Sequence, residues 1–88
     1  MKIKLHPQEC QSNYKFTGTL LCTSEISNVF GEQLYELVFG LMAPIYDLVE
    51  KGIADYFQVA TVEFQNSQYK LYIIDDIVTT TILFAHEY

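Results

Sequence analysis

The sequence predicts an α+β domain: a single antiparallel sheet with one long amphipathic helix on one face, in the order ββαβββ. Three observations lead there. Apolar residues alternate through residues 2–6 and 14–22, recur at spacings of three and four through roughly 28–51, and alternate again in three runs after residue 56. Short turn-forming stretches separate the last three runs, and short turns favour antiparallel neighbours. A helix with one apolar stripe then packs most economically on one face of such a sheet.

Residues 2–6 read as a short strand, and Pro7 ends it because its nitrogen cannot donate to a ladder. Tyr14, Phe16, Gly18, Leu20 and Cys22 occupy alternate positions and predict a second strand, paired with the first, with Gly18 as a bulge. Ser24 to Asn28 is rich in helix-capping residues. Phe30, Leu34, Leu37, Val38, Leu41, Ile45, Leu48 and Val49 then share one helical arc, and Gly52 is placed to end the helix as its C′ residue. Pro44 lies inside this run. Its ring meets the carbonyl of Gly40, a small residue, which predicts a kink; two shorter helices meeting at Ala43-Pro44 are the alternative. Tyr56 to Phe64, Gln68 to Ile74 and Ile77 to Ala85 predict three strands, with turns at Gln65-Asn66-Ser67 and Asp75-Asp76. The last strand is β-prone and uncharged to Phe84, so it is expected to be central or covered.

The 88 residues suit a single domain spanning 1–88, and 7 Tyr with 6 Phe supply core area that so short a chain otherwise lacks. The net charge is −6 and is uneven. Lys2, Lys4 and Lys15 oppose only Glu9 in the first 24 residues, whereas Lys51 and Lys70 face all the remaining carboxylates, and the chain has no Arg. Phosphate neutralisation and base reading need basic faces and guanidinium forks, so direct nucleic-acid binding is excluded as an expectation, and anionic membranes are disfavoured for the same reason. A protein partner with a basic surface fits the charge. With no apolar stretch long enough to span a membrane and no apolar signal core after Met1, the expected location is cytoplasmic, with Cys10 and Cys22 as thiols.

No motif announces catalysis. Asp75 and Asp76 are adjacent and diverge in a strand, and Asp is ordinary in turns. His6, Cys10, Cys22 and His86 are types that zinc uses, but their spacing offers no close pair on each side. Neither Cys has an activating cation nearby in sequence, and there is no phosphate-cradling Gly-rich loop. The expectation is a non-enzyme with no catalytic residue, no metal and no cofactor.

The helix carries the best functional clue. Beyond its core stripe lies a second one, Tyr35, Phe39, Met42 and Tyr46, bordered by the carboxylates Glu32, Glu36, Asp47 and Glu50. A helix lying on a sheet needs a narrower apolar arc than both stripes cover, and aromatics and Met are enriched where partners dock. These eight residues are the expected protein interface. The most concrete function is an inhibitor of a larger basic nucleic-acid-processing protein, of the phage anti-defence kind (anti-CRISPR or anti-restriction), by analogy of size and charge. The alternatives are an immunity protein or antitoxin against a basic toxin, and a structural homo-oligomer, such as a homodimer, whose helix seam is self-complementary.

Overall fold

The computed structural model describes residues 1–88. The elements are β1 (Lys2–Leu5), β2 (Thr19–Cys22), α1 (Ser24–Phe30), a 3₁₀ turn over Gly31–Gln33, α2 (Leu34–Glu50), β3 (Phe57–Phe64), β4 (Ser67–Asp75), β5 (Thr79–Phe84) and a closing 3₁₀ turn over Ala85–Glu87. The fold is α+β, as the periodicities predict.

The sheet is mixed, not antiparallel throughout. Its five strands run in the order β1-β3-β4-β5-β2, and β2 lies parallel to β5. The meander β3-β4-β5 is antiparallel for the expected reason. Gln65 and Asn66 take left-handed φ values of 50° and 64° between the paired residues Phe64 and Ser67, the geometry that suits a two-residue hairpin turn. The expected β1–β2 pair does not form: β1 joins β3 on one edge and β2 joins β5 on the other. The intervening loop is too long for a hairpin and crosses the end of the sheet. Tyr14 N–H donates to the Ala54 carbonyl, and Phe16 N–H donates to Asp75 Oδ2 at 3.0 Å. Phe16, at φ 51°, drops its ring into the core, so β2 begins at Thr19 rather than Tyr14. Gly18 is required at this crossing, because a Cβ there would overlap the Val78 carbonyl.

The helical segment also differs from expectation. It starts at Ser24, where the Thr23 hydroxyl caps the Ile26 N–H, and its break falls at Gly31 rather than Pro44. Gly31 adopts φ 50° and ψ −122°, a conformation open to glycine, whereas α2 runs unbroken through Pro44. Ser24–Glu50 is thus the one long helical stretch expected, jointed by the 3₁₀ turn at Gly31–Gln33 into α1 and α2. Gly40 has a further role beside its place four residues before Pro44: its missing side chain makes room for Ile3 of β1. The helix does end at Gly52, which turns at φ 71° while its N–H bonds the Val49 carbonyl.

One core fills the space between the helices and one face of the sheet. Leu37, Leu41 and Ile45 of α2 and Ile26 and Phe30 of α1 meet Ala60, Val62, Leu71, Ile73, Ile82 and Phe84. Phe30 anchors α1, its ring centroid 5.0 Å from Phe64 and 6.2 Å from Phe84. Asp75 is buried at the end of β4, where its two oxygens accept from Phe16 N–H and Ile77 N–H; it ties loop to turn.

Candidate functional site

The outer face of α2 brings together most of the residues expected there. Burial of Leu37, Leu41 and Ile45 fixes the roll of the helix, which turns the opposite side to solvent. Tyr35 and Phe39, one turn apart, are 77 % and 71 % exposed, and Tyr46 continues the stripe two turns further on. Glu32, Glu36, Asp47 and Glu50 are all exposed and border it. Met42 does not belong to this surface. It is only 4 % exposed and packs in the core, because it lies at the border of the arc on the side where the core continues. The site is thus an aromatic strip of three rings with carboxylates along one flank and no cation on the helix before Lys51.

Three large exposed apolar side chains on one helix face are more than a solvated face needs, since they gain nothing from the water around them. Chemically the strip can bury rings against a partner and place carboxylates against cations.

The other candidates are scattered by the fold. His6 bonds the Thr61 hydroxyl across the β1–β3 pair, Cys10 lies exposed in the crossing loop, and Cys22 is on the opposite edge in β2. His86 lies in the final 3₁₀ turn, 2.9 Å from Glu25 Oε2. No group of three or more His, Cys, Asp or Glu residues is placed to hold a metal ion. Burial pushes the Cys22 thiol up from its ordinary pKa, which disfavours the thiolate.

Two surfaces escaped the sequence reading. The sheet face away from the helices carries an aromatic cluster: Phe57 lies 4.7 Å from Tyr72 and 5.5 Å from Tyr88, and Tyr56 joins it at 6.0 Å from Phe57. Lys70 Nζ sits 5.8 Å from the Tyr72 ring centroid, and the crossing loop with Tyr56, Phe57, Lys70 and Tyr88 walls an open cleft of about 610 Å³. Its signal was the alternate set of β4, Lys70, Tyr72 and Ile74, which is nearly as apolar as the core set Tyr69, Leu71 and Ile73. The second surface is β2, whose Leu20 and Leu21 are 40 % and 46 % exposed.

No protein-family model matches this chain, and neither a curated protein nor a solved structure does. No helix is long and apolar enough to cross a membrane.

Proposed function

We propose that the chain is a protein-binding module that uses the outer face of α2 to occupy a basic surface of a larger nucleic-acid-processing protein and inhibit it. The observation that carries this reading is the exposed strip Tyr35–Phe39–Tyr46 flanked by Glu32, Glu36, Asp47 and Glu50. The rings supply desolvated anchor area, and the carboxylates steer a cationic groove onto it. Such a groove normally holds phosphates, so a row of carboxylates competes for the same cations. Inhibition of the phage anti-defence type is the concrete form, in which binding alone does the work and no bond is made or broken.

The test is capture from lysates of the source cell or its host, with parent and Phe39→Glu baits compared. One basic nucleic-acid-processing protein, recovered in stoichiometric amount by the parent, released at high salt and lost with Phe39→Glu, supports the reading. Its enzymatic activity should then fall on addition of the parent chain. Equal recovery by both baits removes α2 from the interface. A basic toxin in place of the enzyme points to an antitoxin, and recovery of the bait alone to a structural oligomer.

A further inference from the structure

The cleft beside the crossing loop sets ring faces next to carboxylates. Tyr56, Phe57 and Tyr88 line it together with Glu9 and Asp55. The Phe57 ring stands at 70° to Tyr56 and 81° to Tyr88, so these rings meet at corners instead of closing one another off in a stack. Buried Gln58 fixes the carboxylate wall. Its Nε2 donates to Gln8 Oε1, which also accepts from Asp55 N–H at 2.9 Å, and this ties the loop that carries Glu9 to the start of β3. Glu9 and Asp55 outnumber Lys70, the one lysine at the cleft, and none of the three is ion-paired. Lys70 turns its ammonium to the neighbouring Tyr72 ring, 5.8 Å from the centroid, within the range at which a ring face attracts a cation. His6, also at the cleft, bonds the Thr61 hydroxyl through Nε2.

We propose that this cleft binds an organic ammonium group carrying methyl groups on nitrogen, with its charge toward Glu9 and Asp55 and its methyls against Tyr56, Phe57 and Tyr88. Charge sets the sign of the ligand. An anion would face two unpaired carboxylates, and a neutral apolar ligand would strip water from them with nothing in return. The net charge of −6 draws cations to the chain from further out. The rings set the type of cation. A methylated ammonium spreads its charge over an apolar surface that ring faces hold well, whereas a bare metal ion needs a cluster of donors that the fold does not assemble. The volume of about 610 Å³ exceeds such a head group and leaves room for the chain that carries it. The Lys70 ammonium over Tyr72 already uses the same attraction within the molecule, and there it competes with the ligand for ring faces. The cleft lies on the sheet face away from the helices, so the site stands whether or not α2 binds a basic partner.

NMR titration at constant ionic strength tests it, with choline and a short peptide bearing trimethyllysine as probes. Saturable shifts of the Tyr56, Phe57 and Tyr88 ring resonances are expected. The uncharged choline isostere 3,3-dimethylbutanol should bind at least about tenfold more weakly, because it keeps the shape and loses the attraction to ring faces and carboxylates. Choline and peptide bound alike assign the ammonium to a free ligand, and a peptide bound about tenfold tighter assigns it to a protein side chain. Tyr56→Ala should weaken binding about tenfold. Glu9→Gln, at an exposed residue that makes no hydrogen bond, should weaken it about threefold, so a folding failure of the tyrosine variant does not void the test. Lys70→Gln should strengthen binding, since it removes the competing cation; an anion site would lose binding instead. No shift with either probe, equal binding of choline and its isostere, or weaker binding after Lys70→Gln overturns the proposal.

Discussion

The outer face of α2 and the edge strand β2 both expose apolar side chains, yet they offer a partner different things. On α2 the backbone groups outside the terminal turns are spent inside the helix, except the Gly40 carbonyl, which Pro44 leaves without its donor, so recognition falls mainly to side chains. Those side chains are rings and carboxylates. On β2 the side chains are plain and uncharged, and the backbone itself is free. Exposed apolar area alone therefore does not specify a partner. The charge around it and the state of the backbone beneath it matter as well, and the proposed cationic partner for α2 rests on the carboxylates beside its rings.

The placement of β2 depends on Gly18. Gly18→Ala drives a methyl into the Val78 carbonyl, where neither backbone can yield cheaply. A loss of about 3 kcal/mol, read as a lower urea midpoint, is expected. The same substitution at Gly31 also strains the chain, through φ 50°, but meets no atom.

Within α2 the rings and the buried methionine should separate cleanly. Tyr35→Ala or Phe39→Ala should each weaken capture of the basic partner by about 2 kcal/mol, mainly through faster dissociation, with stability little changed. Met42→Ala should do the opposite: a stability loss of about 2–3 kcal/mol in urea titration, with the affinity of the folded protein retained. Reversing charge with Glu36→Lys and Asp47→Lys should slow association about tenfold and flatten its salt dependence, as stopped-flow mixing would read.

The smallest effect is one of pH, at the β2 end. Partial desolvation opposes the charge on Glu87, but hydrogen bonds from Phe84 N–H and the Thr23 hydroxyl hold its carboxyl below the ordinary range. The Thr79 backbone N–H, then its hydroxyl, do the same for Asp76. A carboxyl lowered on folding contributes stability that is present above its unfolded pKa and lost as pH falls through its folded value. The parent should lose stability below about pH 4, and Glu87→Gln should lose slightly less of it over that range while starting lower at neutral pH. Asp76 is exposed and Glu87 only half-buried, so the change is a small shift in midpoint.

Local pattern made the fold class, the β3-β4-β5 meander, the hairpin turn at Gln65-Asn66 and the stop at Gly52 legible, because each depends on neighbours in sequence. What was not legible depended on distant ones. Nothing near Tyr14 or Phe16 reveals that Asp75 captures the Phe16 N–H and cuts the second strand short. The parallel placement of β2 follows from the loop crossing the sheet, which alternation cannot report. Pro44 was the louder signal in the helix, yet Gly31 was the break, because a helix tolerates a missing N–H better than a reversed φ. Tyr35, Phe39, Tyr46 and the four carboxylates could be placed on an exposed face from helical period alone. Met42 could not, since its exposure depends on how far the core reaches around α2.

The most direct measurement is one capture experiment run with two variants side by side, the Glu36→Lys/Asp47→Lys double variant and Leu20→Pro. Loss of the basic partner with the first and its retention with the second is the result expected if α2 is the docking face and the β2 edge takes no part. Retention with the charge-reversed helix and loss with the altered edge would show that the partner binds the sheet, and would contradict the assignment of α2.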